Sequence, residues 1–179
     1  MTKILNTQIL YQDKFFTIKC DELQLDSGRV WKFEYIDSVN PWDGAVVVVP
    51  IDEQWYFYVV SMFQVGSWVD TITFPKWYMP AWEDPLARAN LELQEEVWLS
   101  ASNLVSLGSL YSHPWWITWK HHIILAQWLS PSTLEWDEIE TITILKCTQD
   151  EIKTMIMSWQ ICDAKTIASF YMAVEYLSK

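Results

Sequence analysis

The feature that most limits how this chain can fold is a shortage of glycine: 4 glycines stand against 13 tryptophans in 179 residues. Average usage would supply about 12 glycines, and glycine is the residue that takes positive-φ corners without steric cost. The tryptophans stand in polar turn settings that glycine usually fills: Asn40-Pro41-Trp42-Asp43, Asp52-Glu53-Gln54-Trp55, Leu134-Glu135-Trp136-Asp137 and Met157-Ser158-Trp159-Gln160. The chain is therefore expected to turn where a bulky ring must accept a left-handed backbone, at a cost of roughly 1 to 2 kcal/mol per residue.

Between those corners the apolar pattern alternates strands and helices. Residues 9–39 read as two or three antiparallel strands: Phe15 to Leu25 alternates in Phe16, Ile18, Cys20, Leu23 and Leu25, Asp26-Ser27-Gly28-Arg29 makes a turn, and Val30 to Ile36 returns. Gly44 to Ile51 is a run buried on both faces, with Tyr56 to Phe63 its expected partner across the Asp52-Glu53-Gln54-Trp55 turn. Gln64 to Asp84, with Pro75 and Pro80, reads as a loop. Asp84-Pro85 is a cap and first-turn proline opening a helix to about Val97, whose buried stripe is Leu86, Ala89, Leu93 and Val97. Strands at 104–111, 121–129 and 141–145 precede two helices at 149–158 and 163–177. This is an α/β chain of about one domain. Its only visible boundary, near Asn40, separates an N-terminal strand unit (1–40) from the main domain (41–179).

The charge balance, 12 basic against 23 acidic residues for a net of −11, excludes a basic face for nucleic acid or an anionic membrane. A phosphorylated ligand would need a cation to bridge it. The longest apolar stretch, Ala45 to Ile51, contains Pro50 and falls far short of the roughly 20 residues that span a bilayer. Met1-Thr2-Lys3 opens no signal-like apolar block, so a cytoplasmic protein is expected. Cys20, Cys147 and Cys162 lie too far apart for a zinc or disulfide framework and are expected reduced and buried.

On the central helix Glu92, Glu95 and Glu96 fall on one side, opposite Leu86, Leu93 and Val97. Such crowded carboxylates are either a solvated acidic face, which Arg88 one turn earlier would help to balance, or a site for a hard divalent cation such as Mg²⁺ or Mn²⁺. Upstream stands Phe74-Pro75-Lys76-Trp77-Tyr78-Met79-Pro80-Ala81-Trp82-Glu83-Asp84-Pro85, and the stretch continues to Trp98-Leu99. It resembles the Nudix box, G-x5-E-x7-R-E-U-x-E-E-x-G-U, at Glu83, Glu92, Leu93, Glu95, Glu96 and Leu99. Trp77 and Trp98 occupy the two box glycines, Leu91 the arginine, and Trp82 a glycine usual before the first glutamate.

The N-terminal strands, the Gly44 to Ile51 run and the Asp163-Ala164-Lys165-Thr166 entry to the last helix extend the resemblance to the ADP-ribose pyrophosphatase branch. It implies a Nudix α/β/α sandwich around a mixed sheet with an N-terminal antiparallel strand unit, and Mg²⁺-dependent hydrolysis of a nucleoside diphosphate linked to another group. ADP-ribose or a related ADP-sugar would yield AMP and a sugar phosphate. The resemblance further implies a homodimer built partly from the N-terminal strands, and a small-molecule nucleotide as substrate. Glu92, Glu95 and Glu96 match the metal ligands and Glu83 the first box glutamate. Glu138, ahead of Glu135, is the candidate general base in the acidic loop 134–140, which taken alone reads equally as a solvated turn. Phe15 falls where the branch sets an aromatic ring against adenine, or else packs in the core.

Departures open a second reading, a catalytically silent nucleotide-binding or interaction protein. Leu91 removes an arginine that in the family orients the glutamates, and Ser61-Met62 stand where the branch often has a basic residue. Adjacent His121 and His122 point to opposite faces of a strand and share no metal. Met155, Met157 and Met172 are expected in the core. One cause accounts for the tryptophans: UGA codons that the cell reads as glycine and that are written here as tryptophan, at Trp55, Trp77, Trp82, Trp98, Trp136 and Trp159 at least.

Overall fold

In the computed structural model, residues 1–14, 16–38, 42–134 and 142–179 are described, with 42 and 43 as backbone alone. The chain runs β1 (Lys3–Gln12), β2 (Phe16–Gln24), β3 (Val30–Ser38), β4 (Trp42–Pro50), β5 (Phe57–Gln64), β6 (Val69–Thr73) and β7 (Lys76–Pro80). Then come α1 (Pro85–Glu96), β8 (Leu99–Tyr111), β9 (Lys120–Pro131), β10 (Thr143–Cys147), α2 (Gln149–Met157) and α3 (Ala164–Leu177).

The first three strands form their own antiparallel sheet, β1-β2-β3. Asp21, buried on β2, locks it by accepting hydrogen bonds from Thr7 Oγ1 (2.6 Å) and Tyr35 Oη (3.1 Å). The main sheet has the order β7-β4-β9-β8; β4 and β9 are parallel and the other pairs antiparallel, so the expected mixed sheet is present. Gly44 starts the β4–β9 pairing at φ 139°, where an added Cβ would lie 1.9 Å from the Lys120 carbonyl oxygen. No other residue fits there. A third, antiparallel sheet has the order β10-β5-β6.

β4 divides the interior by strand alternation. Val47 and Val49 face one core with Phe57, Phe74, Ile152, Ile161 and Phe170, beneath α2 and α3. Val46 and Val48 face a second core with Val60, Ala89, Leu93 and Val97, beneath α1. Layers of helix, sheet and helix follow, as a run buried on both faces requires.

Two expectations about pairing are corrected. β5 does not partner β4; the two share only the Ile51–Phe57 bridge, and β5 pairs with β6 and β10. Apolar runs declare burial but not partner, and the four-residue turn carries the chain into another sheet. Residues 64–84 are not a loop throughout, since they hold β6 and β7. Pro80 closes β7 and Pro75 sits between the two strands, the end positions that strands leave to proline.

Three side-chain expectations fail as well. Cys147 is buried, but Cys20 is half-buried and Cys162 exposed, all three free. Met155 and Met172 pack on the core, whereas Met157, in the last turn of α2, is exposed. The carboxylates of α1 are not a solvated face: Glu92 is 2% and Glu96 3% exposed. Among the described residues no helix is long and apolar enough to cross a membrane.

Among the described residues, every non-glycine residue with positive φ is a tryptophan: Trp55, Trp68, Trp98, Trp128 and Trp159, between 56° and 66°. Trp159 follows the C-cap of α2 in a Schellman turn, with Gln160 N–H donating to Met155 O (2.9 Å) and Trp159 N–H to Ile156 O (3.2 Å). Trp98 holds the same position after α1. Trp77 and Trp82 do not adopt this backbone, and Trp136 lies outside the described residues.

Candidate active site

Helix α1 begins where Asp84 Oδ2 accepts the Ala87 N–H (3.0 Å) and Pro85 fixes the first turn. It ends at the C-cap Val97, whose N–H donates to Leu93 O (3.1 Å), and along its second half Asn90 Oδ1 accepts from Ala101 N–H of β8 (2.8 Å) and Gln94 Oε1 from Ser132 Oγ (2.8 Å). The helix is thereby bound to the sheet by its polar side as well as its apolar stripe. Glu92 and Glu96, one turn apart, are buried together, and Glu95 is half-buried between them.

The guanidinium of Arg88 contacts Glu92 Oε1 and lies 3.6 Å from Glu95 Oε2. Leu91, in the place of the box arginine, is exposed. A cationic partner for Glu92 and Glu95 thus comes from one turn earlier on the same helix. The sequence had offered Arg88 only as balance for a solvated face. Its i, i+4 spacing to Glu92 was the signal, and burial decides its meaning.

Glu96 lines a cleft of about 370 Å³ with Lys76, Trp77, Tyr78, His121 and Lys165. Lys76 opens β7, His121 lies on β9 opposite Ala45, and Lys165 stands in the first turn of α3. Lys76 Nζ donates to Thr73 Oγ1 (2.8 Å) and Lys165 Nζ to Asp163 Oδ1 (2.8 Å). Asp163 also caps α3, accepting from Thr166 N–H (3.1 Å) and Thr166 Oγ1 (2.8 Å). Reading the sequence alone missed both lysines; a lysine directly after Pro75 at the mouth of the box, in so acidic a chain, could have been noticed.

Burial pushes the Lys76 ammonium below the usual lysine range and Lys165 adds to this, while Asp163 and Glu96 oppose it. Burial pushes His121 down to about 4, with the Lys165 charge acting the same way, so the imidazole is neutral at pH 7. Burial would raise Asp163, but the hydrogen bond and charge of Lys165, with Lys76 and Thr166, hold it below its ordinary value. Among the described residues His121 Nδ1 finds no hydrogen-bond partner.

The remaining candidates are dispersed. Glu83 precedes α1, and its Oε2 is buried without a hydrogen-bond partner among the described residues. Trp82 is exposed beside it, and Trp77, in β7, lines the cleft. Phe15, Glu135 and Glu138 lie outside the described residues. The chain enters the acidic loop beside α1, where Leu134 N–H reaches Gln94 O (3.4 Å).

Among the described residues no three His, Cys, Asp or Glu side chains converge to hold a metal ion. The donor chemistry of Glu92 and Glu96, two buried carboxylates one turn apart, nonetheless suits a hard divalent cation, which would neutralise charge that burial makes costly.

No family model matches the chain. It is 26% identical over 174 residues to the ADP compounds hydrolase NudE of Escherichia coli, covering 97% of this chain and 92% of that one. It is 24% identical over 177 residues to the ADP-ribose pyrophosphatase of Bacillus subtilis, covering 98% and 91%. A crystal structure of an ADP compounds hydrolase superposes with a TM-score of 0.89 at 25% identity, over 99% of this chain and 94% of that one.

Proposed function

We propose that this chain, which groups with the Nudix hydrolases of the ADP-ribose pyrophosphatase branch along its whole length and by fold, cleaves the diphosphate of ADP-ribose or a related ADP-sugar. The products are AMP and a sugar phosphate. The observation that carries the reading is the pair Glu92 and Glu96, buried one turn apart with Glu96 on the cleft. A structural helix has no use for two buried carboxylates on one face, whereas a diphosphate hydrolase needs them.

Glu92 and Glu96, with Glu95 beside them, would hold the divalent cation, Mg²⁺ or Mn²⁺. When bound, such a cation neutralises the diphosphate and lowers the pKa of an attacking water. Arg88 keeps the Glu92 and Glu95 carboxylates in place. Glu138 is proposed as the base that takes the water proton, supported by the entry of its loop beside α1. Glu83 steadies the segment ahead of α1, and Phe15 is proposed against the adenine.

The silent alternative rests on Leu91 and on the tryptophans at box glycines; the Arg88 ion pairs weaken the first of these grounds. A cytoplasmic homodimer through the N-terminal unit completes the proposal. It is supported by Ile4, Leu5, Ile9, Leu10, Val30 and Trp31, apolar yet exposed on β1 and β3, and light scattering decides it. The catalytic test is product analysis on a small panel of nucleoside diphosphate compounds with Mg²⁺. AMP release from ADP-ribose is expected to fall by orders of magnitude in Glu96→Gln, which keeps shape but loses a ligand charge. Equal release by variant and parent removes Glu96 from the mechanism.

A further inference from the structure

The wall of the cleft facing Glu96 is built for an anion, and nothing in the box accounts for it. Lys76 Nζ has three hydrogens to donate and, among the described residues, one hydrogen-bond acceptor, the neutral Thr73 hydroxyl. Lys165 already satisfies Asp163, whose other oxygen caps α3, so Asp163 has little left to offer Lys76. His121, buried beside them, aims a neutral ring with an unpartnered Nδ1 at the same space. Lys76 and Lys165 set two ammonium groups against the carboxylates of Asp163 and Glu96, so the local surplus is of N–H donors rather than of net charge. An acceptor-rich anion of the size of a phosphoryl group is the ligand that such a surplus fits.

We propose that Lys76, with Lys165 and His121, forms a phosphoryl-binding floor that holds its ligand without help from a divalent cation. Lys76 is its contact residue and Lys165 its second charge. In the hydrolase reading, on which the identity of the ligand rests, the diphosphate is gripped from two sides: by the carboxylate wall through a cation, and by this floor directly. The floor then anchors substrate before chemistry, so Lys76 acts on binding of substrate more than on turnover.

The test uses the full-length protein stripped of metal with a chelator, and inorganic pyrophosphate as the probe, followed by calorimetry. The parent is expected to bind it. Lys76→Gln should bind about ten- to a hundredfold more weakly, the loss that goes with one hydrogen bond to a charged group, and Lys76→Arg should stay within a few-fold of the parent. Lys76→Met should match or exceed the parent in Tm, because it removes a cation whose burial outweighs the carboxylates that favour it; a purely structural lysine would lower it.

Pyrophosphate binding that is absent in the parent, or unchanged in Lys76→Gln, overturns the proposal. A parent that binds pyrophosphate through Lys76 but releases no AMP from any ADP-sugar leaves the floor standing and sinks the hydrolase reading. Hydrolysis with unaltered KM in Lys76→Gln does the reverse.

Discussion

Replacing the five positive-φ tryptophans with glycine should stabilise this protein, against the usual rule that large-to-small changes weaken it. Trp55, Trp68, Trp98, Trp128 and Trp159 have φ of 66°, 59°, 60°, 56° and 65°. Their exposure runs from 58% to 82%, so little burial is lost with the ring. A left-handed backbone costs a non-glycine residue roughly 1 to 2 kcal/mol, and glycine's extra unfolded-state freedom offsets roughly 0.5 to 1 of that. The net gain is about 0.5 to 1 kcal/mol per site. Over five separated sites it comes to about 2.5 to 5 kcal/mol, raising Tm by roughly 5 to 20 °C in a chain of this size. Thermal unfolding followed by circular dichroism measures it. Trp77→Gly is the control: in β7, with an ordinary backbone, it should lower Tm. A quintuple variant no more stable than the parent refutes the reasoning. The same logic reaches the gene, where UGA codons at Trp55, Trp77, Trp82, Trp98, Trp136 and Trp159 and a native protein lighter than 21.2 kDa are expected, and UGG codons would sink the explanation.

Arg88→Ala should lower kcat by about ten- to a hundredfold by releasing Glu92 and Glu95, with less effect on KM, and adding Leu91→Arg should recover part of the loss; steady-state kinetics on ADP-ribose checks both. His121, depressed to about 4 from 6.5, stays neutral in the folded state while the unfolded chain gains a proton below pH 6.5. Stability from this group is complete above pH 6.5 and falls by about 3 kcal/mol as the pH drops through 4. His121→Asn should flatten that part of the profile in denaturant titrations between pH 4 and 7.

Local signals were legible where they concern one residue and its near neighbours. Asp84 and Pro85 marked the start of α1 because a cap and a ring-locked φ act within one turn. The tryptophans at 55, 98 and 159 marked positive-φ corners because backbone sterics are local. Partner choice was not legible: Val46 to Val49 say that β4 is buried on both faces, and nothing in them says that β9 rather than β5 lies alongside. The site divides in the same way. Glu92 and Glu96 could be read from helical spacing, but their burial depends on sheets formed elsewhere. Lys76, His121 and Lys165 come together from β7, β9 and α3, a meeting that only the tertiary fold arranges.

Phe74 N–H, buried at the approach to the box, donates to Thr166 Oγ1 (3.2 Å), 92 residues downstream. That bond has a temporal consequence. During synthesis, at roughly 5 to 20 residues per second, the glutamates of α1 emerge several seconds before α3 does. Until then one side of β4 lacks Phe170 and Ala173, the cleft lacks Lys165, and the Phe74 amide lacks its acceptor. The growing chain therefore carries an exposed apolar sheet face and an open, half-built site, and depends on its final helix to finish both at once. Ordering by sequence separation makes this a slow, late step, and makes the C-terminal helix the piece whose loss would undo catalysis and folding together.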